Sequence, residues 1–106
     1  MSSVKIEISG FIRTDPAEKA TAKGTMVLEF SIPHENRKEE TEWYSCSLYG
    51  KQAEAMSWIE KGMGVHVRGT LIVNAGVEGK IYRNVSVDPY GIDVLTSNKQ
   101  EEVIPF

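Results

Sequence analysis

Val4, Ile6 and Ile8 alternate with Lys5, Glu7 and Ser9, and Ile12 keeps the apolar parity beyond Gly10. This period of two predicts a half-buried strand. Gly10 interrupts it and predicts a bulge or sharp bend, and Asp15-Pro16 opens a loop. A second strand is expected through Met26, Leu28, Phe30 and Ile32, with Val27, Glu29 and Ser31 outward and Pro33 as its end. The nine polar residues from His34 to Glu42 read as an exposed loop. A third strand, Glu42 to Tyr49, would turn Tyr44, Cys46 and Leu48 inward and Trp43, Ser45, Ser47 and Tyr49 outward.

After Gly50 the period changes. Ala55, Met56 and Ile59, with Trp58 beside them, form the apolar stripe of a helix from Lys51 to Lys61, stopped by Gly62. Val65, Val67, Leu71 and Val73 then predict a fourth strand with His66, Arg68 and Thr70 on its other face. Asn74 to Gly79 is a short hairpin connection, and Ile81, Val85 and Val87 continue into a fifth strand. Asp88 to Gly91 reads as a turn, and Ile92 to Leu95 as a last extended piece. Five strands with one helix between the third and fourth is the order of an all-β OB-fold barrel. A sandwich would want more strands and no central helix. The expected organisation is a barrel over residues 1–95 and a flexible tail over 96–106, polar with an apolar tip.

The 106 residues suffice for one domain. With 12 Lys and Arg against 15 Asp and Glu, the net charge is −3, which disfavours a strongly basic binder but leaves room for a local basic groove. No apolar run approaches the roughly 20 residues of a membrane span. The start, MSSVKIEISG, has no apolar signal region, so a cytosolic protein is expected. Cys46 is the single cysteine and cannot form an intrachain disulfide. Phosphate-loop, zinc-helix and nucleophile-elbow motifs are absent from the sequence. His34 and His66 do not stand at metal-ligand spacing. Neither catalysis, a metal nor a cofactor is expected.

The strongest functional signal is Trp43 with Tyr49. They lie an even number of positions apart, so both leave the outer face of a strand whose inner face already supplies the core. Exposed rings on one face are platforms on which bases of single-stranded nucleic acid stack. The competing reading is that both pack under a loop or in a subunit interface. Lys51, His66, Arg68 and Arg13, with Phe11 on the polar side of the first strand, are candidates to line such a groove. Arg83 falls in register with inward residues and would need a bulge to join them.

The last residues, Glu101, Glu102, Val103, Ile104, Pro105 and Phe106, join acids to an aliphatic, Pro and aromatic tip. A terminal carboxylate beside a Phe side chain suits capture in a basic-rimmed apolar pocket of another protein. The competing reading is a tail docked on its own barrel.

These residues resemble the bacterial single-stranded DNA-binding protein family. Thr41-Glu42-Trp43 followed by an alternating strand and Tyr49-Gly50-Lys51 is similar to that family's pattern, continued by Gln52-Ala53-Glu54, Lys61-Gly62 and Val65 to Leu71. Gly10, Asp15-Pro16, Phe30-Ser31-Ile32 and the Ile104-Pro105-Phe106 tip match in order. The resemblance implies an OB-fold homotetramer, with a dimer as the alternative, that coats single-stranded DNA in replication, recombination and repair. It implies base stacking by Trp43 and Tyr49, a backbone contact by Lys51 and a stacking or packing role for His66. It also implies recruitment of replication and repair enzymes through the tip, and a cytoplasmic, nucleoid-associated location. The chain departs from the pattern where Ile72 to Gly76 lack the family's basic residues and stacking aromatic, and where a long linker before the tip is missing. A smaller platform is therefore expected. The alternative function is a primosomal-type OB-fold adaptor that mainly binds proteins.

Overall fold

A computed structural model describes residues 3–96. Its strands are β1 (Val4–Phe11), β2 (Ala17–Ala20), β3 (Met26–Glu35), β4 (Thr41–Tyr49), β5 (Gly64–Ala75) and β6 (Ile81–Thr96). One short helix, α1 (Lys51–Ala55), joins β4 to β5, and a 3-10 turn (Val77–Gly79) joins β5 to β6. All six strands form one sheet in the order β1-β5-β6-β4-β3-β2, antiparallel except for the β4–β6 pair. The sheet curls round a core of Ile12, Leu28, Phe30, Ile32, Cys46, Leu48, Val65, Val67 and Val85. Its edges are not paired to each other, so the OB-fold sheet is open. The chain just past β1 spans part of the gap, where the Arg13 N–H donates to the Ser31 carbonyl at 3.0 Å.

The expected inward faces of β3, β4 and β5 match the buried residues as far as Leu71, but Val73, expected inward, is 56% exposed beyond the core, and Ser47, expected outward, is buried. The sixth strand, β2, was not expected: all four of its residues are exposed, so it carries no hydrophobic period. It is held by its backbone pairing with β3.

Pro33 does not end its strand. The Ser31 N–H donates to Thr14 Oγ1 and the Ser31 carbonyl accepts from Arg13, so both point away from β4. Two residues on, Pro33 turns its missing N–H to that same edge and keeps its place opposite Trp43. The polar loop shrinks accordingly to a turn at residues 36–40, where Asn36 Oδ1 accepts from the backbone of Lys38 and Glu40. Val27, expected outside, is buried between Tyr49 on β4 and Lys19 on β2.

The helix is five residues long rather than eleven. Ser57 Oγ donates to the Glu54 carbonyl as the chain turns away, and Ile59 reaches the core from that turn. Gly10 makes no bulge, since β1 and β5 stay in register through it. It permits a close approach instead: a Cβ there would lie 2.6 Å from Ile32 Cγ2. Ile81, expected inward, is exposed because the β5–β6 hairpin runs beyond the core. Asp88 to Gly91 is an outward excursion within β6, spanned by a register shift against Val67 and Gly69 of β5.

Candidate functional site

Register places the candidate residues in rows across the outer face. Ser45 of β4 lies between Ser31 of β3 and Asn84 of β6, and Ser47 between Glu29 and Ser86. Trp43 and Tyr49 bracket this polar floor, 50% and 46% exposed, while Cys46 and Leu48 beneath them are fully buried. Gly50 holds a left-handed φ of 62° and gives its N–H to the Met26 carbonyl at 2.8 Å. That conformation favours glycine, and the sharp turn sets Lys51 beside Tyr49.

Two grooves flank the floor. One, of about 720 Å³, is lined by Tyr49, Lys51, Gln52, Met56, Pro89 and Tyr90 among others. The other, of about 380 Å³, is lined by Ser31, Trp43, Ser45, Lys80, Tyr82 and Asn84 among others. Arg13 lines neither groove, although its backbone N–H bonds to the carbonyl of Ser31, which lines the second. Among the described residues, no acidic group forms an ion pair with Arg13, Lys51 or Lys80.

His66 and Arg68 occupy the same outer face but are already engaged. His66 Nε2 lies 3.0 Å from Glu7 Oε1, and its Nδ1 meets Ser9 Oγ. Arg68 donates to the Tyr90 carbonyl at 3.0 Å and lies 3.6 Å from Asp93. Lys5 is likewise paired with Asp88 at 2.8 Å. The β1–β5 half of the face is thus a lattice of matched charges, whereas Lys51 and Lys80, which line the two grooves, have no ion pair among the described residues. Phe11 is not brought to them. It pairs with Gly64 at the opposite end of β5 from the β5–β6 hairpin, and a Cβ at Gly64 would lie 3.2 Å from its ring. Arg83 points inward without a bulge, 3.2 Å from Glu42 and 5.9 Å from the Tyr44 ring centre. The tip, Glu101 to Phe106, lies outside the described residues.

Two aromatic residues escaped the sequence reading. Tyr82 is 52% exposed, and its outward parity follows from the inward Val85. Tyr90 is 91% exposed at a φ of 59°, a conformation the sequence does not reveal. Among the described residues no group of acidic, His and Cys side chains could hold a metal ion. No helix there is long and apolar enough to cross a membrane. Cys46 is sealed in the core, and burial pushes its thiol pKa up to about 12. A solvated pair of rings over hydroxyl and amide groups can stack planar bases and hydrogen-bond to them.

The backbone is similar to that of the mitochondrial single-stranded DNA-binding protein Rim1 of S. cerevisiae. One crystal form of Rim1 gives a TM-score of 0.68 at 22% identity, covering 93% of this chain and 100% of that one. The single-stranded DNA-binding protein of Chlamydia muridarum is 30% identical over 95 residues, 84% of this chain and 59% of that protein. Single-stranded DNA-binding protein 1 of Chlorobaculum tepidum is 30% identical over 76 residues, 63% of this chain and 47% of that protein. The chain thus spans about half the length of these relatives. The sequence profile described as the single-strand binding protein family matches residues 3–88, most of the barrel. The chain belongs to the single-strand binding protein family.

Proposed function

We propose that this chain binds single-stranded DNA on the outer face of β4, without strong sequence preference and without catalysis. The observation that carries the reading is the pair of half-exposed rings, Trp43 and Tyr49, on a strand whose other face buries Cys46 and Leu48 in the core. Neither ring belongs to the core cluster, and base stacking is tolerant of sequence because every base has a π-face. Lys51, at the rim of the first groove, and the exposed Arg13 would meet the phosphates. His66 and Arg68 contribute less, because Glu7 and Asp93 already balance them.

The cellular role that fits is protection of single strands in replication, recombination and repair, in the cytoplasm and at the nucleoid. The tail from residue 96 would carry the tip, Glu101 to Phe106, to replication and repair enzymes. The assembled form is a homotetramer, or failing that a dimer, supported by the open pairing edge of β1. Light scattering during size exclusion tests the assembly.

The binding itself is tested by anisotropy titration of labelled oligo-dT at low salt. Trp43→Ala should keep the fold and lose about 1–3 kcal/mol of affinity. No binding by the unaltered protein would instead favour the protein-binding adaptor. Deleting Glu101 to Phe106 should leave DNA affinity equal or higher, since an acidic tip competes with phosphates, and should abolish capture of partner enzymes. A truncated protein that binds DNA worse would place the tip within the barrel's own function.

A further inference from the structure

Tyr82 belongs to none of the motifs singled out in the sequence, yet it stands beside the ring that matters most. The parallel register pairs Tyr44 with Arg83. Continued one step back, it sets Trp43 next to Tyr82 on strands about 4.8 Å apart. Both rings are half exposed on the same outer face, at 50% and 52%, and both line the same groove of about 380 Å³.

Two further features hold this arrangement. Beneath it, Arg83 bonds to Glu42, the neighbour of Trp43, and so ties the start of β6 to the start of β4. Beside it, Gly76 leaves space for the Tyr82 ring, because any Cβ at position 76 would run into Cε2 and Cδ2 of that ring. Lys80, without an ion-pair partner among the described residues, lines the same groove. The Tyr82 hydroxyl makes no hydrogen bond to a described residue, and the contact with Gly76 still leaves half of the ring in solvent.

We infer that Tyr82 is a base-stacking residue, forming with Trp43 a two-ring platform for adjacent nucleotides of a single strand, with Lys80 at the phosphate between them and Gly76 as its positioning residue. The inference rests on the proposed DNA binding. It extends the platform from β4 onto the β5–β6 hairpin, where Ile72 to Gly76 offer no ring of their own.

The test is anisotropy titration of the full chain with fluorescein-labelled oligo-dT. Tyr82→Ala should bind about 5- to 150-fold more weakly than the unaltered protein. Tyr82→Phe should stay within about twofold, because stacking needs the ring and not the hydroxyl. Gly76→Ala should weaken binding several-fold by displacing the ring. If the unaltered protein fails to bind, the DNA-binding reading falls and this inference with it. If it binds and a folded Tyr82→Ala binds equally well, only this inference is overturned. Equal losses in the Phe and Ala variants would also overturn it. Should Tyr82→Ala not fold, photocross-linking of the unaltered protein to 5-iododeoxyuridine oligonucleotides decides. A cross-link at Tyr82 supports the platform, and cross-linking at Trp43 alone contradicts it.

Discussion

Arg83 and Glu42 meet on the inner side of the sheet, 3.2 Å apart, with side chains only 24% and 26% exposed. They join the starts of β6 and β4, the two parallel strands, where the antiparallel hairpins on either side give no direct support. Removing one partner strands a half-buried charge. Arg83→Met should therefore cost about 1–3 kcal/mol in urea unfolding. Adding Glu42→Gln should recover part of that loss, and fully additive losses would show that the pair is not coupled.

Gly10 is tested by its neighbour. A Cβ at position 10 would lie 2.6 Å from Cγ2 of Ile32, which is fully buried. Gly10→Ala should destabilise the barrel by about 1–3 kcal/mol. Combining it with Ile32→Ala should cost less than the sum of the two single changes. Thermal unfolding of the four proteins measures this.

Strand parity made most of the fold legible. Cys46, Leu48, Val65, Val67 and Val85 are all buried where alternation put them, and Trp43 and Tyr49 stand outside. The misses have local causes. Ala17 to Ala20 face solvent on both sides, so only backbone pairing makes them a strand. The helix stripe pointed to eleven residues, but Ala55 is exposed and only Ala53 of the helix is buried. Pro33 ends no strand because its edge has no partner to lose. At the site, Trp43, Tyr49 and Lys51 were visible as one motif. The partners of His66 and Arg68 were not, because Glu7 and Asp93 come from other strands.

Burial governs the single thiol. The Cys46 pKa rises from its ordinary 9.0 to about 12 in the fold, which favours the neutral form. Its contribution to stability is then complete below pH 9.0 and lost as pH rises from there to about 12. At pH 8, alkylation by iodoacetamide should be at least about a hundredfold slower in native than in urea-unfolded protein. Equal rates would mean that the core opens readily at β4.

Charge should contribute less than stacking. Lys51 and Lys80 at the grooves, and the exposed Arg13, have no ion pairs among the described residues. Three phosphate contacts give a slope of log K against log salt of about −2, from roughly −0.7 per contact on single strands. A slope several times steeper would mean that the lattice of Lys5, His66 and Arg68 opens to bind phosphate.

The central claim is that Trp43 is a stacking surface for bases, and its own emission reports this most directly. Trp58, also 50% exposed, lies in the turn after α1 and lines neither groove. In a Trp58→Phe protein, Trp43 is the only tryptophan left. Titration of that protein with oligo-dT at low salt should quench its fluorescence strongly and saturably, with the same midpoint as the anisotropy of the labelled strand. Saturating anisotropy with unchanged Trp43 emission would show that the strand binds elsewhere and would contradict the account.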